Sequence, residues 1–279
     1  MRRDLQDRVI LVTGASRGIG RRTALSLVPH RARLAVTARS ADELAKLVTE
    51  LRAAGVEAEA FPCDLADPAA REKLVADVVA RFGRLDVLVN AAGVSSFGEF
   101  ATSTPEILRT VTEINFFVPA ELSRLAVPHL VKSWEGGPRG WRPAIVNVAS
   151  ICGRVGIPSL PEHCGSKHAL VGLSEALRAE FARFDIDVLL VLPGVVRSDD
   201  LNRHLLRNEG KIYLDFEGAQ RPEEVGEAVV KCLVRNRAET AVGWVSWWVW
   251  LADRAGPRML RGAMHRKARR GAKRAASGG

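Results

Sequence analysis

Apolar residues recur along most of the chain in short, β-rich runs: Val9–Val12, Leu34–Thr37, Ala58–Phe61, Val87–Val89, Ile145–Val148, Val188–Leu192 and Thr240–Gly243. Between these runs the apolar positions fall three and four apart, the spacing of one helix face, over 19–28, 41–54, 68–82, 105–132, 161–184 and 222–236. A strand that is apolar on every residue is covered on both faces. Strands of this kind separated by helices predict an α/β fold with a parallel sheet. Right-handed crossovers make the arrangement doubly wound, a Rossmann-type single domain whose ligand crevice lies at the carboxyl ends of the strands. The stretch Ser133–Pro143, rich in Gly, Pro and Trp, is expected to be a surface loop.

The bulk numbers leave this picture standing. A length of 279 residues, 47% hydrophobic and 26% charged, suits one large globular domain with a full core. Met1 to Arg8 is polar, and the first apolar run is too short for a secretory h-region or a membrane span, so the chain is expected in the cytoplasm. Cys63, Cys152, Cys164 and Cys232 form no CxxC pair and no zinc-ligand spacing; free thiols and no metal are expected.

Charge changes the picture in one place. Nine of the 41 Lys/Arg (Arg254, Arg258, Arg261, Arg266, Lys267, Arg269, Arg270, Lys273 and Arg274) and one of the 32 acids lie beyond residue 252. That leaves 32 bases against 31 acids before it, so the net charge of +9 belongs to the C-terminus rather than to the body. Trp244, Trp247, Trp248 and Trp250 immediately precede this basic run. Tryptophan beside cations suits a membrane interface, whereas a terminal element packed on the fold or on a second copy is the plainer alternative. No nucleic-acid-reading motif accompanies the charge, and none is expected to bind. The aromatic and basic element spans 246–267, and the composition of 268–279 predicts disorder.

The first run of candidate chemistry is the turn after the first strand, which holds Gly14, Ser16, Arg17, Gly18, Ile19 and Gly20 and opens a helix. Glycines let the backbone approach a pyrophosphate, and the helix N-terminus offers free N–H groups and partial positive charge to it. The spacing Gly-x-x-x-Gly-x-Gly, in the required strand–turn–helix context, resembles the short-chain dehydrogenase/reductase family. Four more segments agree in order. Asp64 and Leu65 follow the third strand, where the family contacts adenine. Asn90, Ala91 and Gly93 sit in Asn-Ala-Ala-Gly at the end of the fourth. Asn115 falls mid-helix, where the family keeps an asparagine. Pro193, Gly194 and Val196 end the sixth strand, where the family holds the nicotinamide. The resemblance covers about residues 5–245, within an expected domain spanning 1–245. It implies a homodimer or homotetramer acting on a small, apolar carbonyl or alcohol substrate, under a lid at about 195–218. Ser198, four residues after Gly194, stands where relatives place a threonine on the carboxamide.

The second strand ends in Ala38 and Arg39. A carboxylate there would accept from an NAD ribose. Its replacement by Ala38, with Arg39 and Arg17 as guanidinium partners for a 2′-phosphate, predicts NADP(H).

The resemblance also implies a catalytic row of Ser, Tyr and Lys, with Tyr four residues before Lys on one helix face. Ser150 and Lys167 match, and Asn115 would complete a proton relay, but His163 occupies the tyrosine position. Two main readings follow. The imidazole replaces the phenol as acid/base, with a slower rate because the ring is shorter by about 2 Å and positioning errors of about 1 Å already cost roughly 100-fold. Alternatively the protein holds NADP(H) without turning over, as a pseudoenzyme. An introduced Tyr-to-His change is a third origin. Tyr213, the only tyrosine, lies in the lid segment, and a Ser150–His163 hydrolase pair lacks a nucleophile elbow.

Overall fold

The computed structural model describes residues 2–138, 140–197, 205–208 and 219–256. Seven strands form one all-parallel sheet: β1 (Val9–Thr13), β2 (Arg33–Ala38), β3 (Ala58–Pro62), β4 (Val87–Asn90), β6 (Ala144–Val148), β7 (Asp187–Leu192) and β9 (Glu239–Ala241). Their order is β3-β2-β1-β4-β6-β7-β9, so the winding reverses between β1 and β4. The expected α/β doubly wound architecture is therefore the observed one. Two short parallel strands, β5 (Ser95–Phe97) and β8 (Leu205–Asn208), pair apart from the main sheet.

Alternation along β1 explains the two core layers. Ile10 and Val12 face one side, where α1 (Gly18–Ser26), α2 (Ala41–Ala53) and α7 (Pro222–Arg235) bring Ala24, Leu47 and Val229. Val9 and Leu11 face the other, where α3 (Pro68–Phe82), α5 (Val118–Glu135) and α6 (Pro161–Phe181) bring Val78, Leu122 and Phe181. A side-chain period of 2 between two helical layers makes every residue of the central strands β1, β4 and β6 a core residue, each Leu, Val or Ile contributing about 1.5–3 kcal/mol on burial.

Some boundaries depart from the expected ones, each for a physical reason. The first helix ends at Ser26, and a separate short turn, Val28–His30, follows because Pro29 has no N–H to continue the ladder. The long helix expected over 105–132 is three pieces: α4 (Pro105–Thr112), a π-turn at Glu113–Phe117, and α5. The helix continues to Glu135, past the start of the expected loop. Trp141 within that loop is buried, donating from Nε1 to Asp4 O at 2.8 Å with the Arg8 guanidinium 4.3 Å over its ring. The last strand is Glu239–Ala241, and α8 (Gly243–Ala255) begins two residues later. Most of the expected lid, with Ser198 and Tyr213, lies outside the described residues, as does everything from residue 257 onward, including the expected disordered tail.

Candidate active site

The carboxyl ends of β1, β4, β6 and β7 carry most of the predicted site residues. Thr13 closes β1, and its Oγ1 accepts from the N–H groups of Ala91 and Ala92, both at 3.0 Å, tying the turn after β4 to the glycine turn. Gly14 there has φ +66, and a Cβ would lie 2.8 Å from Ala92 Cα. A Cβ on Gly20 would overlap Gly14 O and lie 2.8 Å from Thr13 O. Both glycines are therefore required by close backbone approach, and Gly14 by its left-handed conformation as well. The helix that follows has no side-chain cap and no acid in its first turn, whereas α2 opens with Asp42 and Glu43 and α7 with Glu223 and Glu224. Its first N–H groups are left for an anion, and Ser16, Arg17 and Ile19 lie around them.

Arg39 is exposed beyond β2 and Arg17 is exposed at the start of α1, with Thr13 and Thr37 in register between them. Asp64 Oδ1 accepts from Ala66 N at 3.0 Å, which shapes the turn after β3, and Leu65 is buried.

Asn90 is buried at the end of β4, opposite Asn147 in register. Its Nδ2 donates to Asn147 Oδ1 at 2.9 Å, and Asn147 Nδ2 donates to Ser174 Oγ at 2.9 Å. Asn90 Oδ1 has no partner although it is buried. Such an acceptor is costly unless a ligand donor fills it.

The π-turn aims Asn115 inward. Its Nδ2 donates to Val94 O at 2.9 Å and to Ser166 Oγ at 3.0 Å, while its Oδ1 accepts from Val94 N at 3.0 Å. The chain uses three of the four hydrogen-bonding positions of this amide, and the two to Val94 hold the backbone after β4. A Cβ on Gly93 would come within 3.3 Å of Asn115 Oδ1 and 3.7 Å of Lys167 Nζ, so these three residues meet at one point.

Ser150 follows β6 in extended conformation. Its Oγ accepts from Cys152 N at 3.1 Å and donates to Pro193 O at 3.4 Å. Lys167, one turn along α6 from His163, is buried and donates from Nζ to Val148 O at 3.0 Å. Burial lowers its pKa to about 8.

His163 Nδ1 lies 3.3 Å from Val94 O. A carbonyl only accepts, so the shared proton sits on Nδ1 and Nε2 carries the lone pair. Burial first, and the Lys167 charge second, push the imidazole down to about 4 against the help of the Val94 bond. It is neutral at pH 7. Beside it Glu162 is buried and accepts from Ser96 Oγ at 2.9 Å and from Ser103 Oγ, pinning the start of α6 to β5 and to the segment after it.

Sequence reasoning missed the supporting residues. Val94 acts through its backbone, which no side-chain pattern announces. Asn147 is detectable only from its register with Asn90. Gln220 clamps the Pro193–Gly194 turn, accepting from Gly194 N at 3.1 Å and donating to Val242 O, with Gln220 and Val196 bridged. It lies 26 residues from Gly194, beyond any local pattern.

Comparison with known proteins agrees with this geometry. The family model for short chain dehydrogenase matches residues 8–209. Dehydrogenase/reductase SDR family member 7B of Bos taurus is 30% identical over 253 residues, covering 87% of this chain and 75% of that protein. A putative ketoacyl reductase of granaticin polyketide synthesis from Streptomyces violaceoruber is 38% identical over 190 residues, 68% of each chain. Among solved structures, a short-chain dehydrogenase from Streptomyces avermitilis superposes with TM-score 0.78 at 29% identity, covering 95% of this chain and 98% of that one. A metagenomic short-chain oxidoreductase in complex with NADP superposes with TM-score 0.70 at 31% identity, covering 86% and 98%. With the glycine turn, the Asn-Ala-Ala-Gly strand end and the Ser–Lys pair where they stand, this chain belongs to the short-chain dehydrogenase family of oxidoreductases.

Proposed function

We propose that the protein is an NADP(H)-dependent oxidoreductase interconverting a ketone or aldehyde with an alcohol, working slowly because His163 stands in for a phenol. The observation that carries this reading is the meeting of Lys167, Asn115 and Gly93 close to a strand end whose buried Asn90 Oδ1 lacks a donor. A ribose hydroxyl would supply that donor. The glycine cradle and uncapped α1 terminus fit a pyrophosphate, and Arg39 with Arg17 fits a 2′-phosphate. The similar metagenomic oxidoreductase was solved with NADP, which supports the same choice.

When bound, the nicotinamide would supply or accept the hydride. The residues of the chain then handle the oxygen and its proton. Ser150 Oγ, fixed by Cys152 N and Pro193 O, orients the substrate oxygen. Lys167 with its pKa near 8 is an ammonium at pH 7, so its charge favours a developing alkoxide and a ribose contact. His163, neutral with Nε2 unprotonated, accepts a proton from an alcohol but has none to give from that atom to a carbonyl. In reduction the Lys167 ammonium is the acid that holds the proton the carbonyl oxygen needs.

The bond from His163 Nδ1 to Val94 O also favours a second reading, a silent NADP(H) binder, because it turns the only acid proton of the ring away from any substrate. Comparing the native chain with His163→Tyr separates the two. NADPH binding is followed by nicotinamide fluorescence and turnover by NADPH oxidation over a panel of apolar ketones and aldehydes. Slow but measurable native turnover that rises on the order of 100-fold in the variant supports the oxidoreductase. Activity in the variant alone supports the silent binder. A chain that does not bind NADPH refutes both.

A further inference from the structure

Helix α8 presents two different faces. Ser246 is buried, its hydroxyl close against Gly194, and Trp250 packs on the small core cluster of Ala149, Leu170, Val171, Leu190 and Leu192 while its Nε1 donates to Glu239 Oε1 at 2.9 Å. On the opposite side Trp244, Trp247 and Trp248 stand 75%, 45% and 56% exposed, with Val245 beside them. At 100° per residue Trp244, Trp248 and Leu251 form one stripe, flanked by Val245 and Trp247, and no charge interrupts the chain between Gly243 and Ala252. Single exposed apolar side chains are ordinary; four together, three of them tryptophan, are an interaction surface.

The position of this surface is informative. Its first turn follows β9 directly and abuts the Pro193–Gly194 turn, at the carboxyl edge of the sheet where the candidate site opens. Other exposed apolar side chains belong to the same edge: Phe100 on the segment leaving β4 and β5, Val195 leaving β7, and Leu206 on β8. Beyond Gly256 the chain adds eight Lys/Arg and no acid.

We propose that the exposed face of α8, with the basic chain that follows it, docks the protein onto an anionic lipid bilayer, with the rim of the crevice turned toward the lipid. Tryptophan suits headgroup depth because its ring is apolar and its N–H polar, and lysine and arginine are drawn to the anionic surface. The contact is peripheral: 13 residues of helix reach about 20 Å, short of a hydrocarbon core of about 30 Å, and among the described residues no helix is long and apolar enough to cross. A second copy of the chain is the weaker occupant, because pairing two α8 faces would bring two such cationic segments together. The docking rests on this surface alone and not on turnover.

Co-sedimentation of the full chain with phosphatidylcholine vesicles, and with vesicles containing roughly a third phosphatidylserine, tests it. The native chain pellets with the anionic vesicles at about 0.1 M salt and is released at about 1 M, where screening shortens from about 10 to 3 Å. Replacing Trp244, Trp247 and Trp248 by Ser lowers partitioning at least tenfold (~1.4 kcal/mol) without shifting the melting temperature, since none of the three lies in the core. Replacing the eight bases by Gln lowers it about fivefold for each base engaged. Equal pelleting with and without vesicles overturns the proposal, as does equal affinity for neutral and anionic vesicles. So does a Trp-dependent dimer that ignores lipid. If the Trp variant fails to fold, the salt and lipid comparisons on the native chain still decide.

Discussion

The state of His163 can be read from stability alone. Its imidazole titrates near 6.5 in an unfolded chain and near 4 in the fold. Between those values the unfolded state binds the extra proton, so stability is full above about pH 6.5 and falls as pH drops toward 4. Integrating the two titrations gives a loss from this group of about 2 kcal/mol at pH 5, almost none at pH 7, and a limit of about 3 kcal/mol below pH 4. The variant His163→Tyr has no titration in that window, and every other acid-sensitive group is common to both chains. Urea unfolding of the two proteins at pH 7 and pH 5 therefore isolates the imidazole. The native chain is expected to lose about 2 kcal/mol more than the variant over those two units. Equal pH dependence would mean a solvated imidazole of ordinary pKa. An imidazolium acid would then be available near neutrality, and the account of a slow, proton-poor site would fail.

Three other perturbations follow from the same geometry. Gly20→Ala should abolish NADPH binding, since its Cβ lands on the Gly14 carbonyl; Gly18→Ala, with φ +52 but open space around it, should cost only about 1–2 kcal/mol of stability, as melting and NADPH titration of the pair will show. Arg39→Ala should weaken NADPH by about 10- to 100-fold and leave NADH nearly unchanged, the worth of a charge-assisted phosphate contact, measured by fluorescence titration of both nucleotides. Arg3 is buried, bonded to Asp187 Oδ2 at 2.6 Å and to Arg142 O at 2.9 Å. Arg3→Ala should cost about 3–5 kcal/mol in denaturant unfolding by stranding those acceptors, and Arg3→Lys should restore little because one ammonium cannot reach them all.

The sequence by itself determined the layers and most of the ligand-facing chemistry of this protein. Apolar runs of period 2 between helical periods dictate a covered parallel sheet, and glycines after β1 dictate where backbone must crowd. Both are local properties, written in neighbouring residues. Helix ends set by local chemistry were less legible where tertiary contacts compete. The chain reads as one helix from 105 to 132, yet the π-turn at Glu113–Phe117 turns Asn115 onto both polar groups of Val94, a gain only the folded partner can supply. The substitution at position 163 was plain from spacing to Lys167, but its consequence was not. Burial outweighs the lysine charge in depressing the imidazole, and the Val94 carbonyl chooses the tautomer. Likewise the four tryptophans after β9 were visible in sequence. Only packing against the cluster around Leu170 and Leu190, with the bond to Glu239, sorted Trp250 inward and left Trp244, Trp247 and Trp248 facing out. Periodicity fixes which side chains share a face of an element. What each face meets depends on residues far away in the chain, and that meeting decides pKa, tautomer and exposure.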